Sequence, residues 1–392
     1  MLLEEEVACC WLVWWGSPWK GLGVRLPNPK MARTRLPNKA MTTNTMSKIK
    51  MSINPTILAN YAQIGEYVNY DPTTGGNVNS SNTTYTSVPG STENHGNGYT
   101  ALADGQTFSA EAYKNSGGKW RIFDIADGKI TLISDPIYRD NTDGTAMLSA
   151  SSTNGLYLNN GIGYLWAEEE LHRIAAVYGH GAGADLSQTV TYYYGGPNDQ
   201  DGSITADTVE AQQGRKATLN LDTPSGARAL SLNEIHRVYG RNYDANSSLR
   251  TDAKTANNAK YYPTLYTPNT ESGKSELDDS PSGNYYYTYF TYSISSSSSS
   301  DSIDKANQKS MLRLGKNYWL ASRAVCTASA TNVMFLTTCI NTSNTLAGDP
   351  MCSTINFPSG TCNNSVRVLV TLAAGTQTDS KEYNSATGWN IN

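Results

Sequence analysis

Four cysteines close together near the C-terminus, four histidines and one run of three glutamates are the side chains best equipped for chemistry in this chain. Cys326, Cys339, Cys352 and Cys362 are spaced 13, 13 and 10 residues apart, with no C-x-x-C among them. That spacing argues against a structural zinc site. It leaves open free thiols, or disulfides in three pairings if the protein is exported. A thiol nucleophile needs an adjacent base, and His172 or His236 reaches these cysteines only through the tertiary fold. His95 and His180 lie in glycine-rich stretches without a second ligand at useful spacing. Glu168, Glu169 and Glu170 have acid–base chemistry. They also suit the exposed first turn of a helix, where carboxylates complement the dipole, and that is the role expected of them. Asp140-Asn141-Thr142-Asp143-Gly144 and Asp199-Gln200-Asp201-Gly202 carry hard oxygen ligands for calcium. Neither completes an EF-hand loop, so both are expected to form turns. No phosphate loop or dinucleotide fingerprint occurs. No catalysis, metal or other cofactor is expected.

Binding offers a fuller reading. Tyr318-Trp319-Leu320-Ala321-Ser322-Arg323 and Val366-Arg367-Val368-Leu369-Val370-Thr371-Leu372 each predict a short, largely buried strand. Between them, residues 324–365 are mostly Ser, Thr, Asn, Cys and Ala, with no long periodic pattern. A scaffold that fixes both ends of an irregular polar segment presents a binding surface. The reading requires the two strands to form one stiff frame within a single sheet. Tyr318, Trp319, Leu320, Arg367 and Trp120 are its scaffold residues. Trp319 is assigned to the core, while Arg323 and Arg367 could serve either frame or ligand.

The remaining elements follow from local pattern. Ile64–Tyr70 alternates as a strand. Trp120–Ile125 and Lys129–Ser134 flank Ala126-Asp127-Gly128 and predict a β-hairpin. Tyr164–Tyr178 predicts an amphipathic helix ended by Gly179. Ser231 and Glu234 form a capping box for a second helix, with Leu230 stapled onto Ile235. Residues 241–310, with Tyr285-Tyr286-Tyr287 and the serine run Ser295–Ser300, read as a long polar insertion. Residues 374–392 read as a polar tail. The order implies an α+β domain over residues 58–373, whose early and late strands meet in one sheet.

Composition narrows the partners. The 392 residues carry a net charge of −4, which disfavours nucleic acid. Charged residues are 16% of the chain, and 25 Tyr against 5 Phe replace them with adaptable contact chemistry. No run reaches the roughly 18 apolar residues of a membrane span. Residues 1–52 look like a non-domain leader. Glu4-Glu5-Glu6 precedes an apolar patch, opposite to a secretory signal. Met46 and Met51 are alternative starts, and a damaged membrane anchor is the other reading of this region.

Taken in order, several motifs resemble a large group of surface and prepilin-like proteins of gut bacteria and their phages. They are Gly65-Glu66-Tyr67-Val68-Asn69-Tyr70, Trp120-Arg121-Ile122, Leu132-Ile133-Ser134, Ala227–Ile235, Tyr318–Arg323 and Val366–Leu372. The closing pair is also similar to that of C-type-lectin-like and formylglycine-generating-enzyme-like domains, a fold used by retroelement-diversified binding proteins. Asn364-Ser365 replaces that pattern's glycine and Val368 its proline. The resemblance implies a C-type-lectin-like α+β domain with mixed antiparallel sheets, two helices and long loops. It also implies a diversifiable surface at residues 324–364, contacting an unknown protein or glycan at a bacterial surface, outside the cell or on a virion. The implied contacts are Arg323, Thr327, Ser329, Thr331, Asn332, Asn341, Ser343, Asn344, Asn356, Asn363 and Asn364, aided by Tyr192–Tyr194 and Tyr285–Tyr287. The calcium-lectin triplets E-P-N and W-N-D are absent. Two alternatives are a minor-pilin-like or phage-tail decoration subunit, and a copper oxidase of the formylglycine-generating type.

Overall fold

Asp127 and Gly128 both adopt positive φ, 52° and 72°, as a two-residue type I′ turn requires. They close the expected hairpin, pairing Ala126 with Lys129 and Trp120 with Ser134. The computed structural model describes residues 56–86, 106–140, 155–194, 215–239, 292–329, 332–353 and 361–392. The leader, most of the 241–310 insertion, Thr331, Asn356, His95, Tyr285–Tyr287 and the two acidic turns beyond Asp140 lie outside the described residues.

In chain order the first strands are β1 (Thr56–Ile57), β2 (Tyr67–Asn69), β3 (Thr84–Thr86) and β4 (Thr107–Ser109). Helix α1 (Ala110–Asn115), the hairpin strands β5 (Trp120–Ala126) and β6 (Lys129–Ser134), β7 (Leu156–Asn159) and helix α2 (Asn160–Ala176) follow. Then come β8 (Thr191–Tyr194), β9 (Arg215–Thr218), β10 (Ala227–Ala229) and α3 (Leu232–Tyr239). Next are β11 (Tyr292–Ser293), α4 (Ile303–Leu312), β12 (Tyr318–Ser329), β13 (Asn332–Ile340) and β14 (Thr345–Ser353). The chain closes with β15 (Thr361–Asn364), β16 (Val368–Leu372), β17 (Gln377–Thr378) and β18 (Trp389–Asn390).

The fold is α+β. Its main sheet has six strands in the order β10-β16-β6-β5-β2-β18, so the early hairpin and the late strand do meet in one sheet. All five residues of β16 are buried, as expected of an apolar strand covered on both faces. A second sheet has the order β11-β14-β13-β12. Helix α2 packs against β10 of the first sheet and β12, β13 and β14 of the second. Tyr70, Tyr113, Trp120 and Tyr178 form an aromatic knot in the core, with edge-on ring contacts of 5.3–5.6 Å.

Several expectations are corrected here. The described residues of 324–364 are not an irregular loop but lie mainly in strands β12, β13, β14 and β15. The run Val333-Met334-Phe335-Leu336 explains this, because apolar residues favour a pleated surface. Helix α2 starts at Asn160, not Tyr164, so Glu168–Glu170 sit in its interior instead of its exposed first turn. Gly161 and Gly163 had masked that start. His172 is buried on α2 and accepts the Ala229 N–H at Nδ1 over 3.1 Å.

Two segments placed outside the elements contribute to the core. From the insertion, residues 303–312 form α4, capped by Ser302 accepting from the Lys305 N–H. Residues 374–392 supply β17, paired with β1, and β18, parallel to β2. Trp389 is buried there, and its indole donates to Glu66 Oε2 over 2.7 Å.

Candidate functional site

The two bracketing segments do not share a sheet. The first lies in β12, an edge of the four-stranded sheet. The second lies in β16, inside the six-stranded sheet. The requirement that both strands share one sheet is therefore not met; the two segments meet instead at a corner between two sheets. Tyr318 bridges Ser365 in parallel register. The Trp319 N–H donates to the Ser365 carbonyl over 2.9 Å, and the Ser365 N–H donates to the Asn317 carbonyl over 3.1 Å. A second tie runs through Leu230. Its carbonyl accepts from the Ala321 N–H, and its N–H donates to the Arg367 carbonyl, both at 2.9 Å.

Side chains lock this corner. Tyr318, Trp319 and Leu320 are buried. The Trp319 indole donates to the Leu156 carbonyl over 2.9 Å, just before α2. The Tyr318 hydroxyl donates to the Leu312 carbonyl at the end of α4 over 2.7 Å. Ser322 accepts the Leu232 N–H at the start of α3, and its carbonyl accepts the Thr338 hydroxyl. Half of the expected capping box is seen on that helix, Glu234 Oε2 accepting the Ser231 N–H over 2.9 Å, while the Ser231 hydroxyl also donates to that carboxylate.

Arg367 belongs to the frame. It is buried, donates to the Ser134 and Met311 carbonyls over 2.8 and 3.0 Å, and lies 5.5 Å from the Tyr318 ring centre. Burial holds its guanidinium below the usual arginine range. Trp120 is buried in the aromatic knot. The sequence-assigned scaffold residues therefore all sit in the core.

The expected contact residues separate into distinct groups. Arg323, Thr327, Ser329 and Asn332 occupy the half of β12–β13 beyond the corner, where Thr327 pairs with Val333 and Ser329 with Asn332. Asn341, Ser343 and Asn344 lie at the other end, in the β13–β14 turn. Asn332 and Asn341 are separated by about 30 Å of strand at ~3.3 Å per residue. Asn341 Oδ1 accepts the Ser343 and Thr345 N–H groups, each at 3.0 Å. Asn344, at φ 55°, accepts the Gly315 N–H over 2.9 Å. These two asparagines shape a turn.

Asn364 is a further correction. It pairs with Leu156 and is 4% exposed, so it is no surface contact. Asn363 pairs with Tyr157 on the same short ladder. Cys339 is buried in β13 opposite Trp319 and Ala347. Tyr192 is buried too. Among the described residues, no group of three or more His, Cys, Asp or Glu is placed to hold a metal ion.

Sequence reasoning missed the inward polar face of α2. Glu168 Oε2 accepts the Tyr193 N–H over 2.8 Å, and Glu170 Oε2 accepts the Tyr85 hydroxyl over 2.9 Å. Burial pushes the Glu170 carboxyl up to about 7 and the His172 imidazole down to about 3. Glu169 pairs with Arg173 one turn on. These groups pin β8, β3 and β10 onto α2. The available signal was the apolar company of Leu171, Ile174 and Ala175: α2 is buried on nearly every side here, so carboxylates two residues apart both meet neighbouring strands.

The chain matches no family model, no curated protein and no solved structure.

Proposed function

We propose that this chain is a non-catalytic binding or display protein built on a C-type-lectin-like α+β domain. Its contact surface is the far half of β12–β13, around Arg323, Thr327, Ser329 and Asn332. This differs from an irregular loop held at both ends. The observation that carries the reading is a pair of strands anchored at one end and continued as a ladder at the other. Residues 318–322 and 337–340 are buried and hydrogen-bonded into a two-sheet corner. Beyond Arg323, the pairing of β12 with β13 continues through backbone bonds that do not depend on side-chain identity. Identity can then change while the ladder persists. The motif order Gly65–Tyr70, Trp120–Ile122, Tyr318–Arg323 and Val366–Leu372 supports the same reading. A bacterial surface, the extracellular space or a virion is the setting it implies.

The test uses arrays of bacterial surface proteins and glycans, probed with the full chain and with a Thr327→Ala/Ser329→Ala/Asn332→Ala variant. The expected result is that wild-type signals are lost or redistributed in the variant while its melting temperature holds. Identical array profiles for the two proteins would overturn the reading.

A further inference from the structure

Away from the sheet, a cleft of about 230 Å³ lies between the loop leading into β3, the C-terminal end of α2 and residues 220–223. It is smaller than the ~300–1,000 Å³ of sites for drug-sized molecules, so it suits a ligand of amino-acid size.

Its walls are chemically divided. Ala176 at the end of α2, Val177 just after it and Leu221 give an apolar side. Arg173 gives a cationic side. Its Nε and Nη2 both reach Glu169 Oε1, at 2.8 and 2.6 Å, and Nη1 donates to the Asn220 carbonyl over 3.3 Å. A guanidinium has five N–H donors, and these contacts among the described residues use three of them. Asp222, from a different element, adds an exposed carboxylate to the same cleft.

The remaining wall groups are held in place. The Tyr85 hydroxyl is committed to Glu170 behind the wall. His180 is buried, with Nδ1 3.2 Å from Asn77 Oδ1, and burial lowers its pKa, so it adds no charge near neutral pH. Such fixed polar groups carry little reorganisation cost on binding.

We propose that this cleft binds a zwitterionic α-amino acid, or a compact molecule with the same two charges. The carboxylate would meet N–H groups of Arg173 and the ammonium would meet Asp222. A small aliphatic side chain would lie on Val177. A ligand with only one charge leaves either Arg173 or Asp222 without its partner. The inference is independent of the display reading, because none of these residues lies on β12–β13.

The test is calorimetric titration of the full chain with L-valine, L-valine methyl ester, isovalerate and glucose. The expected result is that valine binds, while the ester and isovalerate each bind at least ~10-fold more weakly. Asp222→Asn should lower valine affinity to the isovalerate level without changing isovalerate itself. Circular dichroism checks that this exposed-site variant is folded. Four results would each overturn the proposal: no valine binding up to about 20 mM, equal affinities for the three valine-shaped ligands, an Asp222→Asn variant that binds valine normally, or glucose binding in place of valine.

Discussion

Replacing Trp319 should damage the fold far more than replacing any polar residue further along the same strand. Trp319 is 1% exposed and its indole donates to the Leu156 carbonyl. Trp319→Phe removes that donor, at about 1 kcal/mol, and leaves a small void, at about 1 kcal/mol more. Trp319→Ala removes the whole ring and should cost about 4 kcal/mol. At roughly 2–4 °C per kcal/mol for a domain of this order of size, Ala lowers the melting temperature by about 10 °C. Thr327→Ala, eight residues further along the same strand, should stay within about 0.5 kcal/mol. Urea unfolding followed by far-ultraviolet circular dichroism measures all three, since that signal does not depend on the lost tryptophan. Trp319→Phe within 0.5 kcal/mol of wild type, or Thr327→Ala costing more than about 2 kcal/mol, would refute a rigid corner with a tolerant extension.

Three further outcomes are expected. Glu170 titrates near 7 when folded against 4.5 when exposed, so the folded state binds more protons between these values and stability falls as pH rises through that window. Glu170→Gln should remove up to roughly 3 kcal/mol of that fall, gaining stability at pH 8 and little below pH 4.5; parallel pH–stability profiles for the two proteins would contradict this. Trp389→Ala should cost about 3–5 kcal/mol in the same urea assay, because the ring is buried and bonded to Glu66; a free polar tail would show no change. Gly128→Ala puts a side chain at φ 72° with open space around it, and should cost about 1 kcal/mol of backbone strain, read as a small drop in melting temperature; no change would count against the type I′ turn.

The elements that were legible in the sequence are those with strong local rules. The hairpin at Asp127-Gly128 has a turn only certain residues accept. The capping box at Ser231 and Glu234 is a contact between residues three apart. Tyr318-Trp319-Leu320 is apolar enough to be core in any fold. What was not legible depended on distant partners. Asn364 is polar in sequence, yet lies buried because β15 pairs with β7, more than two hundred residues earlier. Trp389 looked like one aromatic in a polar tail, and becomes core only because β18 finds β2. Glu168 and Glu170 looked like exposed acids because their hydrogen-bond partners, the Tyr193 N–H and the Tyr85 hydroxyl, come from other strands. The Ser, Thr and Asn content of 324–364 points to a loop, whereas its apolar run Val333–Leu336 points to the strand that β13 forms. The burial of Tyr318, Trp319 and Leu320 was thus legible, while their place in a separate sheet from β16 and the strands of the segment between were not.

Protease resistance of two displayed libraries weighs the central claim most directly. One library randomises Thr327, Ser329 and Asn332, and the other Trp319, Leu320 and Ala321. Most members of the first are predicted to survive like the parent, while most of the second are digested. Equal survival, or wholesale loss in the first library, would contradict a surface that varies on a corner that cannot.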